Sequence, residues 1–365
     1  MGAIARIYSD AGILLLASLS ESLCKMTDYQ KIIALFDIAV LIPCYNEAAT
    51  IGQVVKDFQT YIPGAAIYVY DNNSNDNTIA LAQESGAIVC QEPWQGKGNV
   101  VRRMFADIEA DIYVLVDGDD TYAADAAPIL IETLINSQVD MVTGARAANE
   151  NFAYRFGHRF GNRLFSWVAS RIFGHTISDL LSGYRVFSRR FVKAFPGAAQ
   201  GFEIELELTV HALSLRIPNT ELVTQYRERP ENSFSKLHTI RDGCHIFLEM
   251  IKLFKNERPL TFFLGFSLFF TVIAFILMVP VFFTYIETGL VPRFPTAILS
   301  AALIIMAFLS LTAGIILDTV SQGRREIKRL QYLSMPCLDL KDRLKNVRDK
   351  ASSIIADVKQ ESPVA

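Results

Sequence analysis

The sequence predicts an α/β domain with a mostly parallel sheet, followed by a hairpin of two membrane-spanning helices. Short apolar runs bounded by turn residues alternate with segments of helical periodicity between residues 38 and 144. Such strand–helix alternation is typical of a mostly parallel sheet covered on both faces. Two uncharged segments of 27 and 24 residues follow, at 260–286 and 294–317. Each is longer than the roughly 20 apolar residues that cross a bilayer as a helix.

The elements of the first region are predicted in chain order. Short apolar runs between turn residues indicate strands at 38–42, 65–70, 87–90, 112–116 and 141–143. The patterns between them predict helices at 50–59, 77–84, 98–108 and 125–136. Thr50 and Asp125 are the expected N-caps of the first and last helix, because their side-chain oxygens can accept a backbone hydrogen bond.

The chain divides into five predicted regions. These are an N-terminal extension (1–36), the α/β domain (37–237), a juxtamembrane amphipathic helix (238–258), two transmembrane helices (259–318) and a tail (319–365). Basic residues cluster before the first apolar segment and after the second, whereas the loop between them holds Arg293 alone. This bias places the α/β domain and both termini on the cytoplasmic side. The alternative is a pair of buried core helices.

Charge and cysteine content limit the kinds of partner and site. The net charge of −3 gives no indication of binding to nucleic acid, so no such partner is expected. The five cysteines are scattered without a CxxC pair, which argues against a disulfide framework or a zinc site. Apolar stripes at 156–172 and 240–254 predict amphipathic helices. The second is expected to lie at the membrane interface, while the first suits the interface or the α/β core equally.

Polar clusters follow three of the predicted strands, at 45–47, 71–76 and 117–120. In parallel sheets, ligands bind beyond the carboxyl ends of the strands. Three carboxylates in the last cluster would repel one another unless a cation neutralises them, and Mg²⁺ typically shares its coordination shell with substrate phosphates. An exposed acidic turn is the alternative. The sequence has neither a G-x-G-x-x-G nor a P-loop motif, so neither of these explains a nucleotide site.

Taken in order, these motifs resemble those of glycosyltransferase family two, whose fold is called GT-A. The motifs are Pro43-x-Tyr45-Asn46-Glu47, Asp71…Asp76-x-Thr78, Asp117-x-Asp119, Gly144-Ala145-Arg146, Asp179…Ser182-Gly183-Tyr184-Arg185 and Arg229…Ser235-Lys236-Leu237. The last three resemble the branch of dolichyl-phosphate mannose synthases and polyprenyl-phosphate glycosyltransferases. The resemblance covers residues 38–241 and extends to the C-terminal membrane hairpin.

The resemblance implies a role for each motif. The nucleotide-sugar would be bound by Pro43, Tyr45, Glu47, Asp71, Asp76, Asp117, Arg229 and Lys236. The metal, Mg²⁺ or Mn²⁺, would be held by Asp117 and Asp119. The acceptor phosphate would be received by Arg146, Arg159 and Arg185. The residues closest to the chemistry would be Asp117, Asp119, Arg146 and Arg159. The chain departs from the family pattern at Asn72 and Asn73, where Asp-Gly is usual, and at Thr121, where mannose synthases often have Gln.

The reaction implied is inverting transfer of a sugar from a UDP- or GDP-linked donor to polyprenyl phosphate at the cytoplasmic membrane face. Membrane lipids would surround the hairpin, and self-association through the tail is a further hypothesis. A processive polysaccharide synthase is one alternative, but neither Trp94 nor Trp167 completes its Q-x-x-R-W segment. An enzyme with a hydroxyl lipid acceptor would need a base, for which Asp120 and Glu205 are candidates. A non-catalytic membrane scaffold would be expected to carry polar residues inside its spans, and these spans hold no charge.

Overall fold

The computed structural model describes residues 35–146, 178–227 and 239–340, together with Arg343 and Lys345. In this part of the chain seven strands form one sheet in the order β3-β2-β1-β4-β6-β5-β7. The strands are β1 (Ile38–Cys44), β2 (Ala66–Asp71), β3 (Ile88–Gln91), β4 (Ile112–Leu115), β5 (Met141–Arg146), β6 (Arg185–Ser188) and β7 (Asn219–Thr224). β6 runs antiparallel to β4 and β5, and the other described pairs are parallel. The predicted α/β class with a mostly parallel sheet is confirmed.

Helices cover both faces of the sheet. In chain order they are α1 (Ile51–Tyr61), α2 (Thr78–Glu84), α3 (Lys97–Asp107), α4 (Ala127–Asn136), α5 (Arg189–Ala194), α6 (Ile204–Ser214), α7 (Thr239–Glu257), α8 (Pro259–Thr288) and α9 (Phe294–Leu333). Strand β1 contributes Val40 and Ile42 to one core, where they join α1 and α4. Leu41, between them, belongs to a second core with α3, α5 and α6. Burial on both faces explains why β1 reads as a continuous apolar run rather than an alternating one.

Of the two predicted N-cap residues, Thr50 occupies the N-cap position of its helix and Asp125 does not. Thr50 immediately precedes α1, but it forms no side-chain cap. Its hydroxyl instead donates to the carbonyl oxygens of Gly118 at 2.6 Å and Glu47 at 3.3 Å, which ties α1 to the loop after β4. The N-cap prediction for Asp125 is wrong, because Asp125 lies inside a 3₁₀ turn (Ala124–Ala126) and Ala126 occupies the N-cap position of α4.

Helices α8 and α9 are long and apolar enough to cross a membrane, by length and composition. Only 11% of the most apolar stretch of α8 and 17% of that of α9 is buried within the chain, which argues against two core helices of a soluble protein. The helices pack along a seam of mostly small residues spaced seven apart, formed by Ser267, Ala274 and Val281 of α8 and by Ser300, Ala307, Gly314 and Ser321 of α9. Small residues let helix backbones approach closely in membranes.

Helix α9 continues well past the predicted end of the second apolar segment and contacts the amino-terminal edge of the sheet. Arg325 lines a cavity together with the start of β7. Further along, the Tyr332 hydroxyl donates to Asp140 at 2.5 Å, just before β5. Arg343 pairs with Asp111, just before β4. Along the chain, the contacts occur first at β7, then at β5 and last at β4. Because the first of them follows the apolar part of α9 most closely, β7 is the strand nearest the apolar hairpin.

Candidate active site

The carboxyl ends of three adjacent parallel strands bring the predicted polar clusters together. The backbone N–H of Asn72 after β2 donates to the carbonyl of Cys44 in β1 at 2.9 Å. On the other side of β1, Val116 N–H donates to Leu41 at 3.1 Å. The clusters after β1, β2 and β4 therefore share one edge of the sheet, as parallel topology requires.

The loops after β1 and β2 interlock through side chains that bind backbone amides. Glu47 N–H donates to Thr78 Oγ1 at 2.9 Å, and Ala48 N–H donates to Asp76 Oδ2 at 3.2 Å. Burial alone would raise the pKa of Asp76, but hydrogen bonds from Thr78 and Ala48 lower it below its ordinary value. Asn46 takes a left-handed backbone conformation, with φ of 53°, which Asn tolerates in tight turns. Asp76 thus braces this pair of loops.

Asp71 is the buried carboxylate at the end of β2, with 1% exposure. Its Oδ2 accepts a hydrogen bond from Ser74 N–H at 3.0 Å. Its Oδ1 is buried and has no hydrogen-bond partner among the described residues. A buried acceptor without a donor is costly, so a ligand donor at this position would be stabilising. This environment fits the predicted role of Asp71 in binding a ribose or base, beside the half-buried Pro43 and Tyr45.

Negative charge is concentrated around Cys44. Burial raises the pKa of its thiol well above the ordinary value, and four nearby carboxylates raise it further. These belong to Glu47, Asp71, Asp117 and Asp119. Gly118 is packed so closely that a Cβ atom there would lie 2.7 Å from Cys44 Sγ. The loop after β4 therefore lies directly against β1, and four carboxylates converge on this small volume.

Lys97 is the functional candidate that the sequence analysis missed. Its ammonium lies 2.5 Å from Asp117 Oδ1 and 2.5 Å from Glu205 Oε1, and it bridges the loop after β4 to α6. Burial would lower the pKa of Lys97, but Asp117 and Glu205 outweigh burial and raise it. Lys97 is therefore a permanent charge at the site. The one available signal was its position between Gly96 and Gly98 at the start of a helix.

The departures from the family pattern at Asn72 and Asn73 have a structural role. The Asn72 amide donates to the carbonyls of Glu92 and Trp94 at 2.9 and 2.8 Å. Its Oδ1 accepts from Gly96 N–H at 2.7 Å. Gly96 has φ of 130°, and a Cβ there would lie 2.2 Å from the Gln200 carbonyl, so only glycine fits. These contacts fix the loop that presents Lys97.

Asp117 and Asp119 are the predicted ligands for Mg²⁺ or Mn²⁺. Asp119 is 4% exposed, and its Oδ1 accepts from the Thr121 hydroxyl at 2.6 Å. The Asp117 side chain keeps 29% of its surface exposed at the sheet edge. Among the described residues no group of three or more His, Cys, Asp or Glu side chains could enclose an ion. Two carboxylates fit Mg²⁺ in the mode where phosphates and water supply the remaining ligands.

Asp120 and Glu205, the candidate bases for a hydroxyl acceptor, both have raised pKa values, with burial as the largest cause. For Glu205, Asp117 raises the pKa further while Lys97 opposes the shift. A raised carboxyl pKa suits general-base catalysis. However, Oε1 of Glu205 already binds Lys97, and its Oε2 is buried.

Arg146 ends β5 at the same edge of the sheet. Its guanidinium forms a fork with Asp179, with Nε donating to Oδ2 at 2.7 Å and Nη2 donating to Oδ1 at 2.8 Å. It also lies over the Tyr226 ring, 5.6 Å from the centroid. The Arg146 side chain is 20% exposed. Its plane is thus fixed before any acceptor arrives.

The predicted role of Arg185 in binding the acceptor phosphate conflicts with its environment. Arg185 is fully buried in β6, and its donors bind the carbonyls of Ser182 and Leu180 at 2.9 Å and the Thr209 hydroxyl at 2.8 Å. Burial also lowers its pKa. Arg185 therefore braces the turn before β6. Arg159, Arg229, Lys236 and the amphipathic segment 156–172 lie outside the described residues.

Comparisons with known proteins agree with this geometry. Residues 39–195 match the sequence profile of glycosyl transferase family 2. Glycosyltransferase AglJ of Haloferax volcanii is 33% identical over 303 residues, which cover 81% of this chain and 98% of that protein. The dolichyl-phosphate hexose transferase of the same organism is 29% identical over 222 residues, which cover 61% of this chain and 96% of that protein.

A solved structure shares the fold. It is glucosyl-3-phosphoglycerate synthase from Mycobacterium tuberculosis in complex with Mn²⁺, uridine diphosphate and phosphoglyceric acid. The TM-score is 0.51 at 20% identity, and the match covers 63% of this chain and 81% of that chain. At this identity the likeness establishes the fold alone, which agrees with the expected GT-A architecture.

Proposed function

The chain belongs to glycosyl transferase family 2, and from this premise we propose that it transfers a sugar from a UDP- or GDP-linked donor to polyprenyl phosphate at the cytoplasmic face of a membrane, with inversion. One similar protein is a dolichyl-phosphate hexose transferase, which supports a lipid phosphate as the acceptor. A structural neighbour was solved with Mn²⁺ and uridine diphosphate, which supports a metal-assisted nucleotide donor.

The acceptor assignment is supported by the position of Arg146, which lies between the carboxylate cluster and the hairpin along the sheet. The cluster lies at the ends of β2, β1 and β4, whereas Arg146 ends β5, two strands further along the sheet. The contacts of α9 make β7, the neighbour of β5, the strand nearest the hairpin. With about 4.8 Å between neighbouring strands, Arg146 is displaced by roughly 10 Å from β4 toward β7, the side on which the proposed membrane would lie. A donor on the cluster and a lipid phosphate on Arg146 would thus approach from opposite sides.

The side chains can promote the transfer mainly by positioning the donor and the acceptor. A lipid phosphate is already largely ionised near neutral pH, since its second pKa is about 6, so the attacking oxygen needs no strong base. Arg146 would neutralise and orient that phosphate, with Asp179 holding the guanidinium plane. Asp71 and Glu47 would hold the nucleoside. Arg159 is proposed to contact the acceptor phosphate, and Arg229 and Lys236 are proposed to contact the donor diphosphate. Alignment of this kind is worth about 7–11 kcal/mol in favourable systems.

Asp117 and Asp119 would hold the divalent metal. When bound, the metal would neutralise the departing nucleoside diphosphate as a Lewis acid. Lys97 would hold the Asp117 side chain in place, because its ammonium lies between Asp117 and Glu205. The four carboxylates around Cys44 would otherwise repel a diphosphate, so donor binding is expected to depend on the cation.

The test is transfer by the purified full-length protein in detergent, with Mg²⁺ or Mn²⁺, short-chain polyprenyl phosphate and a panel of UDP- and GDP-sugars. Mass spectrometry would detect the lipid-linked sugar. We expect a metal-dependent product with one donor, lost in Asp119→Asn and kept in Asp125→Asn, which removes a carboxylate from the turn before α4. A donor that binds without giving any polyprenyl product would contradict the proposed acceptor. Transfer to a diacylglycerol, a ceramide or a growing glycan would then identify an alternative.

A further inference from the structure

A cavity lies between the α/β domain and the hairpin, at the opposite edge of the sheet from the carboxylate cluster. Its volume is about 790 Å³. Its charged and polar lining includes Arg216 after α6, Asn219 at the start of β7, Glu257 and Arg258 before α8, and Arg325 on α9. Asn219 begins a strand parallel to β5, so this cavity opens at the amino-terminal edge of the sheet, whereas Arg146 ends β5 at the other edge.

The cavity offers cations and one buried acceptor. Arg325 is held in place, since its Nη1 donates to the Glu257 carbonyl at 2.6 Å. Arg216 and Arg258 are exposed and have no ion-pair partner among the described residues. Glu257 is 8% exposed, with Oε1 at 3.4 Å from Lys328 Nζ. Its Oε2 has no hydrogen-bond partner in the described part of the chain. A ligand with both a phosphate and a hydrogen-bond donor would satisfy this set.

The backbone at Arg216 is unfavourable for arginine. It has φ of 53° at the end of α6, where Ile217 N–H donates to the Ala212 carbonyl at 2.8 Å. This is the left-handed helix-ending position that glycine normally occupies. A residue with a side chain is disfavoured in this conformation, because its Cβ atom lies too close to the following carbonyl oxygen. The fold therefore holds a guanidinium at the cavity at a cost that glycine would avoid, and such strain tends to accumulate at binding sites.

The cavity lies at the depth of lipid headgroups if the hairpin spans a membrane. Arg258 is two residues before Leu260, the first apolar residue of α8, which is about 3 Å along a helix axis. Arg325 is eight residues after Leu317, or about 12 Å, and its long side chain can reach back. The headgroup layer is roughly 5–8 Å thick on each side of the bilayer. Basic pockets beside membrane helices on the cytoplasmic side bind phosphate headgroups.

We propose that this cavity binds the headgroup of a membrane glycerophospholipid that is not a substrate of the enzyme. Arg216 and Arg258 contact the phosphate, and Glu257 accepts a hydrogen bond from an ammonium or hydroxyl group of the headgroup. A phosphatidylethanolamine headgroup supplies both features, whereas the choline of phosphatidylcholine carries no N–H. Inorganic phosphate shares the anionic half of this chemistry. The proposal rests on the membrane placement of the hairpin and not on the transfer reaction.

The test measures lipid retention by native mass spectrometry of the full chain in detergent, with phosphatidylethanolamine, phosphatidylcholine or inorganic phosphate added. We expect retention of phosphatidylethanolamine over phosphatidylcholine. Arg216→Gly should weaken retention roughly tenfold, since it removes a charge-assisted hydrogen bond, while its folding is preserved by the glycine. Arg258→Gln should act in the same way.

Arg324→Gln is the matched control, because Arg324 neighbours Arg325 on α9 but is not part of the cavity lining. Equal losses in Arg324→Gln and Arg258→Gln would show diffuse charge attraction and overturn the proposal. Inorganic phosphate displacing the lipid at similar concentration would overturn the lipid assignment. Since the readout is binding, a chain that retains the lipid but transfers no sugar would contradict the proposed function and leave this site standing.

Discussion

The ammonium of Lys97 lies 2.5 Å from the Asp117 carboxylate, so the first residue of α3 is joined to the loop after β4. Both side chains are largely buried, and Glu205 accepts from the same nitrogen. This arrangement limits the rotation of Asp117, the proposed metal ligand. The site therefore depends on one cation contributed by the protein as well as on the proposed divalent ion.

Replacing Lys97 by methionine should cost both stability and activity. The change leaves Asp117 and Glu205 as neighbouring buried carboxylates, and breaking a buried ion pair typically costs about 3–5 kcal/mol. We also expect roughly a hundredfold loss of kcat/KM, because the electrostatics of the site are disturbed. Thermal unfolding in detergent and transfer kinetics measure the two effects. The double variant Lys97→Met/Glu205→Gln should recover stability without recovering activity, and full activity in either variant would contradict this role.

Removal of the divalent ion should abolish donor binding as well as transfer. With excess chelator the four carboxylates around Cys44 outnumber the single ammonium of Lys97 and would repel the diphosphate. Calorimetric titration with the nucleotide-sugar, with and without Mn²⁺, should show binding only with the ion. Asp119→Asn should lose most of this metal-dependent affinity, while Thr121→Val, which removes only the hydroxyl bound to Asp119, should lose less. Metal-independent binding of the donor would exclude the assignment.

Arg146 and Asp179 should act on the acceptor and not on the donor. Arg146→Lys keeps the charge but loses the planar fork, so we expect the KM for polyprenyl phosphate to rise about tenfold. Asp179→Asn weakens the carboxylate that fixes this fork and should shift the same constant in the same direction. Steady-state kinetics with each substrate varied in turn separates the two constants. An equal rise in the donor KM would instead place Arg146 at the nucleotide.

His211 should make the fold sensitive to acid. Burial in α6 lowers the pKa of His211 to about 3, and the nearby Lys328 lowers it in the same direction. Both ring nitrogens lack a hydrogen-bond partner among the described residues. The unfolded chain takes up a proton near the ordinary pKa of about 6.5, so stability is lost as the pH falls below that value. At about pH 5 the loss is roughly 2 kcal/mol.

His211→Leu should remove this pH dependence. Between about pH 7.5 and about pH 5, the melting temperature of the original chain should therefore fall more than that of the variant. Equal acid sensitivity of the two proteins would mean that His211 is protonated in the folded state.

Gly314 should be essential for the packing of the hairpin. A Cβ atom there would lie 3.0 Å from the Phe263 Cβ and 3.5 Å from the Leu260 Cα, so Gly314→Ala pushes the helices apart at a cost of about 1–3 kcal/mol. Gly265→Ala is the matched control, because nothing lies within 4 Å of its added methyl and alanine favours the helix by up to about 1 kcal/mol. Melting temperatures in detergent should fall for the first and stay level or rise for the second.

The sheet was predictable because its signal is local. β1 and β4 are buried on both faces, so their composition alone distinguishes them from loops. The shared edge of the three polar clusters then follows from parallel topology. The two apolar helices were equally predictable, because length and absence of charge are sufficient criteria for a candidate span.

The missed features depend on contacts between distant residues. Lys97 acquires its role from Glu205, which is 108 positions away, and no spacing rule joins them. Arg185 reads like a phosphate ligand in its motif, but its donors are satisfied by carbonyls that come together only in the folded turn. The continuation of α9 is likewise stabilised by Asp140, which lies 192 positions before Tyr332.

The contacts at Asp140 and Asp111, made by Tyr332 of α9 and by Arg343 after this helix, have a mechanical consequence. The α/β domain is connected to the hairpin at two places: by chain continuity through Arg258 and by these two contacts. Two connections restrict rotation of the domain relative to the hairpin. If the hairpin spans a membrane, as proposed, this double attachment would fix the distance between the bilayer and the edge of the sheet where Arg146 lies. The proposed lipid acceptor would then have to present its phosphate at that distance.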